Sequence, residues 1–198
     1  MKKLNEWNIQ DNFCIAEVDE FPNELYRTQL NENLMNEYPM LPWRSQLDDI
    51  ETEKVKKLKE KVKDKYELRL ALLNEEELVG WTYGWQEVFD HTSFFMGASM
   101  VLPKLRRQGL YSKLVEKVLE ITKELGFQSV WSSHIMTNNP VIIAKLRLGF
   151  TITGFESNVN YGNLVKLTYH HSELRKKATK FRAGAVKESE VLKLLLQS

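Results

Sequence analysis

Apolar residues recur along this chain with two different periods, and the change of period marks out the elements. Leu68-Arg69-Leu70-Ala71-Leu72-Leu73 reads as a strand and Asn74-Glu75-Glu76-Glu77 as a polar turn. Leu78 to Val88 follows as a second strand, with Trp81, Tyr83 and Trp85 alternating onto one face. After an Asp90-His91 turn, Ser93 to Leu102 is apolar enough for a central strand. These three strands predict an antiparallel meander. The period then lengthens. Leu110, Leu114, Val118, Ile121 and Leu125 fall on one side of a helix from Gly109 to Leu125, which Gly126 is placed to end. Gln128 to Ser133 reads as a short strand. Asn138 to Leu148 reads as a short helix with an asparagine cap, stopped at Gly149. Phe150 to Ser157 and Leu164 to Tyr169 are two further strands around an Asn160-Tyr161-Gly162-Asn163 turn.

The flanks are less regular. Phe13 to Val18 carries strand-forming residues, and Pro22 opens one or two helices from Asn23 to Met35, where Leu25, Leu30 and Leu34 recur at helical spacing. Pro39 and Pro42 break that pattern in the aromatic segment Tyr38 to Arg44. Glu51 to Tyr66 is dense in lysine, yet Val55, Leu58, Val62 and Tyr66 still trace one helical face, so the lysines form its solvated side. Beyond His171 the chain is basic, then weakly helical around Val191 to Leu195. Residues 1–171 therefore read as one domain and 172–198 as an extension. The order of elements predicts a mixed α+β fold with a strand–helix–strand crossover in its middle.

Composition narrows the function classes. With 198 residues, 42% of them hydrophobic, the chain can bury a core without a metal or partner. A net charge of +1 argues against a nucleic-acid binder. The lysine-rich helix and the tail Arg175-Lys176-Lys177 keep that alternative on the page. Cys14 is the only cysteine, so no intrachain disulfide framework forms, and nothing points to a metal. Met1 to Trp7 lacks the apolar stretch of a secretory signal, and no apolar run reaches the ~20 residues of a membrane span. A soluble cytoplasmic protein is the expectation.

The chemistry concentrates in Val101-Leu102-Pro103-Lys104-Leu105-Arg106-Arg107-Gln108-Gly109-Leu110-Tyr111-Ser112. The first N–H groups of a helix lack intrahelical partners and carry the positive end of its dipole. A pyrophosphate is held there mostly by backbone. Gly109 lets an anion approach, Arg106 and Arg107 add charge, and Ser112 adds a hydroxyl donor. The P-loop, Rossmann, zinc-protease and serine-hydrolase motifs are missing from the sequence.

In these residues the chain resembles the GCN5-related N-acetyltransferases (GNAT). Arg106-Arg107-Gln108-Gly109-Leu110-Tyr111 is similar to that family's R/Q-x-x-G-x-G/A signature, with Val101 and Pro103 standing where the family has valine and proline. Asn138 through Phe150 resembles the second signature, in which an asparagine begins a helix that ends in Gly-Phe. The resemblance runs from about Leu68 to Phe155. It implies a splayed, mostly antiparallel sheet of six to seven strands flanked by helices. It also implies acetyl-CoA as acyl donor, wedged between the strand ending at Leu102 and the strand Gln128–Ser133. The pantetheine arm would meet the backbone at Met100 and Val101 and the side chain of Asn138. The pyrophosphate would lie on the amides from Gln108 through Gly109, Leu110 and Tyr111 to Ser112. Tyr111 departs from the small residue of the first signature and is expected to point away from the phosphate.

A second departure bears on catalysis. Lys145 stands where the family has the tyrosine that protonates the departing CoA sulfur. A lysine there can donate a proton or stabilise the thiolate by charge; its alternative is to face solvent or a CoA phosphate. The implied reaction is direct acyl transfer to an amine, with backbone N–H groups of the strand before the first signature stabilising the oxyanion. Glu87 and His134 are candidate bases, and Ser99 and Tyr161 candidates for a water relay or acid role. For each the alternative is structural: an exposed strand end for Glu87, a satisfied loop histidine for His134. Trp43, Trp81, Tyr83, Trp85, Phe94 and Phe95 either build an aromatic acceptor pocket or belong to the core. The acceptor is expected to be a primary amine of a small molecule or peptide, with neither membrane nor nucleic acid as partner and a homodimer left open. The Lys145 replacement leaves an acyl-CoA sensor without catalysis as the competing reading.

Overall fold

The meander of the sequence is the middle of a larger sheet. The computed structural model describes residues 1–35, 49–50, 52–54, 65–184 and 187. The Tyr38–Arg44 segment, the Val55, Leu58 and Val62 face and the Val191–Leu195 stretch lie outside the described residues. The strands are β1 Lys3–Gln10, β2 Phe13–Val18, β3 Glu67–Asn74, β4 Glu77–Gln86, β5 Ser93–Val101, β6 Ser129–Ile135, β7 Thr151–Asn158 and β8 Gly162–His170. They form one sheet in the order β1-β2-β3-β4-β5-β6-β8-β7. Every neighbouring pair is antiparallel except β5 and β6. The helices are α1 Asn23–Gln29, continued by a π-helical stretch Leu30–Met35, then α2 Leu110–Glu124, α3 Asn139–Arg147 and α4 Glu173–Arg182.

Eight strands stand where the sequence predicts six or seven. The addition is β1, an edge strand whose mostly polar sequence hides its alternation; only Trp7 and Ile9 turn inward against the main core. Helix α4 was also illegible as a helix. Its Ser172 cap accepts a hydrogen bond from the Arg175 amide, and Lys176 Nζ lies 4.4 Å from the centre of the Tyr169 ring.

The sheet buries apolar side chains on both faces. On one, Leu110, Leu114, Val115, Val118 and Ile121 of α2 pack against Leu68, Leu70, Leu72, Phe94, Met96 and Val130. Each fully buried side chain of this kind contributes about 1.5–3 kcal/mol. On the other face Phe21 beside α1 joins Ala16, Leu73, Leu78, Trp81 and Met100, with Tyr26 of α1 stacked on Phe21 at 5.1 Å.

Strand β5 serves both cores because it is bulged. Gly84 of β4 stands opposite Met96 and Tyr83 opposite Ala98, so Gly97 is the extra residue. Before it, Phe94 and Met96 face α2; after it, Ala98 and Met100 face the second core. A Cβ on Gly97 would come within 2.5 Å of the Trp85 ring, so only glycine fits. The bulge falls where β5 leaves its neighbour β6.

Candidate active site in the cleft between β5 and β6

The parallel pairing of β5 and β6 stops early. Ser93, Phe94 and Phe95 pair with Ser129, Val130 and Trp131, and no pair follows. Met96 to Val101 then runs beside β4 alone, while Ser132 to Ile135 runs beside β8. The strands thus part into a wedge between Met96 and Ser132. Along the wedge, the β6-facing backbone of β5 has no strand partner, as an extended ligand arm would require.

The basic turn lies beyond the wide end of this wedge. Pro103–Leu105 forms one short 3-10 turn, and Arg107 and Gly109 both adopt left-handed backbone, with φ of 65° and 79°. Helix α2 follows at once, so the amides of Leu110, Tyr111 and Ser112 have no helical acceptors. An added Cβ at Gly109 meets nothing within 4 Å, which leaves an open cradle of the kind a pyrophosphate fills. Gln108 and Arg107 are exposed. Arg106 instead donates its Nε to the carbonyl oxygen of Val101 at 3.1 Å, tying the turn to the end of β5. The side chains of Met100, Val101 and Leu110 are buried, so these residues offer only backbone to a ligand. Tyr111 packs on the main core with its hydroxyl buried, and burial pushes that phenol well above its usual range. Asn138 stands at the N-cap of α3 with φ of −79° and ψ of 60°, yet its side chain makes no capping bond. Its carbonyl accepts the first intrahelical bond, from the Ile142 amide at 3.1 Å.

Helix α3 carries the unexpected feature. It leaves Ile143 and Leu146 48% and 41% exposed and buries Lys145 completely. Ile142 and Leu148, three positions to either side, pack on the main core and fix Lys145 on the inward stripe. The lysine therefore faces neither solvent nor an exposed phosphate. Its Nζ reaches the wedge where the strands part, 2.6 Å from Ser132 Oγ on β6 and 3.5 Å from Met96 Sδ on β5. The Phe150 ring lies 4.6 Å away. Burial alone pulls the ammonium from 10.5 to about 7.

Ser132 Oγ also lies 2.9 Å from His134 Nε2. His134 belongs to β6, which runs to Ile135 rather than ending at Ser133, and alternation puts Ser132 and His134 on one face. Burial, and then the Lys145 charge, hold the imidazole down at about 3. The site is thus a chain of three groups, Lys145, Ser132 and His134. The sequence marks Lys145 and His134 but not Ser132. A serine two residues before a histidine on a strand was the available signal.

The other candidates lie elsewhere. Glu87 follows β4, its amide bonded to the Ser93 carbonyl at 2.9 Å. That is the paired end of the wedge, about 10 Å along the strand from Met96. Ser99 Oγ is engaged with Thr82 Oγ1 at 2.8 Å. Tyr161 is exposed in the β7–β8 turn. The proposed aromatic pocket divides: Phe94 belongs to the core under α2 and Trp81 to the opposite one. Trp85, Phe95 and Trp131 form a half-buried row on the second face, with ring centres 4.7 and 4.4 Å apart.

Known proteins share this fold. The model of the acetyltransferase (GNAT) family matches residues 28–150, more than half of the chain. No curated protein sequence matches significantly. Among solved structures, the ribosomal-protein-S5-alanine acetyltransferase from Vibrio fischeri superposes with a TM-score of 0.63 at 10% identity, over 85% of this chain and 98% of its own. The ribosomal L7/L12 alpha-N-protein acetyltransferase RimL, in complex with coenzyme A, gives 0.62 at 11% identity over 84% and 98%. A Bacillus subtilis acetyltransferase in complex with CoA gives 0.55 at 16% identity over 80% and 98%. The chain belongs to the GNAT family and is an acyl-CoA-dependent N-acetyltransferase.

Proposed function

We propose that the wedge between β5 and β6 directs an acetyl group from acetyl-CoA onto a primary amine of a small molecule or peptide, with Lys145 as the proton donor to the leaving sulfur. The observation that carries this reading is the position of Lys145 Nζ, fully buried where the strands part and bonded to both sides through Met96 and Ser132.

Acetyl-CoA supplies an activated thioester; transfer moves the acetyl group to nitrogen and one proton from nitrogen to sulfur. The chain's residues then have three tasks. The amides at the start of α2, with Gly109 leaving room, hold the pyrophosphate. The unpaired edge of β5 from Met96 to Val101 lines the extended arm. Lys145 holds a proton at Nζ in a site where water is excluded, and burial has brought its affinity for that proton close to neutrality. A lysine near 7 releases a proton far more readily than one at 10.5.

The acceptor follows the same chemistry: its amine must be neutral to attack. Two of the similar structures are named for acetylating ribosomal proteins, so peptide α-amines head the acceptor panel, followed by small primary amines. The test is thiol release from acetyl-CoA across that panel, with Lys145→Ala alongside. The proposal expects release with at least one amine and a loss of about 10²–10⁴ in rate for the variant. Tight acetyl-CoA binding with no release from any amine would instead identify a sensor.

A further inference from the structure

Within the catalytic reading above, Ser132 has no role of its own, yet among the described residues it is the one hydrogen-bonded to both candidate proton carriers. It is completely buried, its Oγ 2.6 Å from Lys145 Nζ and 2.9 Å from His134 Nε2. An ammonium has donors only, so Ser132 Oγ accepts from Lys145. The single hydroxyl proton of Ser132 then points to His134, whose Nε2 accepts, which puts the imidazole proton on Nδ1. His134 is half-buried, whereas Lys145 and Ser132 have no exposed surface. The chain of bonds therefore leads from the deepest group toward the surface.

The surroundings isolate this chain. β5 contributes the uncharged Met96, and the Phe150 ring closes the end of α3. β8 places Val165 opposite His134 and Leu167 opposite Ser132. Its Lys166 projects to the other face, 4.0 Å over the Trp131 ring. Among the described residues, burial is what lowers Lys145, and Lys145 is the charge that, after burial, lowers His134.

We propose that Ser132 is a positioning residue that couples Lys145 and His134 into a relay holding one proton. With the proton on Lys145, the imidazole is neutral and its Nε2 lone pair is occupied by the Ser132 hydroxyl. When Lys145 gives its proton to the CoA sulfur, its charge vanishes, and the Ser132 hydroxyl turns to donate to the vacated Nζ lone pair, which frees His134 Nε2. His134 Nε2 then takes the proton that the acceptor nitrogen loses on forming its bond to the acetyl carbon. Ser132 passes a proton from His134 Nε2 to Lys145 Nζ, and the pair returns to its starting state. One N–H bond breaks and one S–H bond forms, so protons balance within a turnover and no redox partner enters.

The test has one arm without substrate and one with it. In the protein without acyl-CoA, the His134 ring is titrated by NMR in wild type, Lys145→Met and Ser132→Ala. The relay predicts that Lys145→Met raises the His134 pKa, which burial still holds below the ordinary histidine range, and that Ser132→Ala shifts the Nδ1/Nε2 tautomer signals. Under turnover, Ser132→Ala lowers kcat at least about tenfold with KM for acetyl-CoA within about twofold and displaces the pH profile, and Ser132→Thr restores both. A His134 titration identical in wild type and Lys145→Met overturns the relay even if Ser132→Ala does not fold. So does a folded Ser132→Ala with wild-type kcat and pH profile. Wild-type protein that transfers acetyl to no amine, with the His134–Lys145 coupling intact by NMR, overturns the catalytic reading instead.

Discussion

Replacing Lys145 with methionine should make the protein more stable and the enzyme inactive. The lysine is completely buried, and burial is the only cause that moves it from 10.5 to about 7. At about 1.4 kcal/mol per pH unit, that interval corresponds to about 5 kcal/mol of destabilisation while the group is charged in the folded state. The sign follows from proton counting. Below about pH 7 both folded and unfolded chains carry the proton, and the whole penalty is present. Between about 7 and 10.5 the unfolded chain binds the proton and the folded chain does not, so wild-type stability rises with pH. Methionine matches the stem of lysine and suits neighbours such as Met96 and the Phe150 ring. Losing the bond to Ser132 gives back about 1–2 kcal/mol. Lys145→Met should therefore gain about 3–4 kcal/mol at pH 6–7, and the gain should shrink by about 1.4 kcal/mol per pH unit above neutrality. Urea denaturation of both proteins at pH 7, 8 and 9, above the titration of His134, measures this directly, since titrations other than those of Lys145 and His134 cancel in the difference. A variant less stable than wild type at pH 7, or a difference that stays constant up to pH 9, would refute the argument.

Gly109→Glu should lose acetyl-CoA binding by calorimetry, because it sets a negative charge at the open cradle. Gly109→Ala bears the same left-handed strain, worth about 1–2 kcal/mol, without the charge, and should keep much of the affinity. Equal binding by both variants would move the anion site elsewhere. Gly97→Ala drives a methyl group into the Trp85 ring and should cost about 1–3 kcal/mol in chemical denaturation and slow transfer by disturbing the wedge beside Met96. Wild-type stability and rate in that variant would show that the bulge does not need glycine.

The parts of this fold that were legible in the sequence are those where one face is apolar and the other wet. Leu110, Leu114, Val118 and Ile121 announce α2, and the Trp81-Tyr83-Trp85 alternation announces β4. The Gly109 turn was legible as a glycine turn opening a helix because its geometry is local. The wedge between the strand ending at Leu102 and the strand Gln128–Ser133 was implied by the family resemblance and not by periodicity, since the end of the β5–β6 ladder at Phe95 depends on which strands lie beside β4 and β8. Burial of Lys145 was hidden for the opposite reason. Periodicity predicts that apolar residues turn inward, and α3 exposes Ile143 and Leu146 while burying its lysine. Such a reversal is costly to the fold, and it singles out Lys145 more sharply than any motif. Ser132 carries only the weak signal of a serine two residues before a histidine on a strand; the approach of α3 to β6 is what brings its hydroxyl to Lys145.

The central claim is that Lys145 delivers the proton to the CoA sulfur. Single-turnover thiol release from acetyl-CoA, followed from pH 5.5 to 9 with a saturating amine of low pKa, tests it most directly. Wild type should lose rate as pH rises through about 7, where the buried ammonium gives up its proton, and Lys145→Ala should be slower by about 10²–10⁴ with no such decline. A wild-type profile flat through neutrality, or a Lys145→Ala variant that releases thiol at the wild-type rate with the same pH dependence, would contradict it.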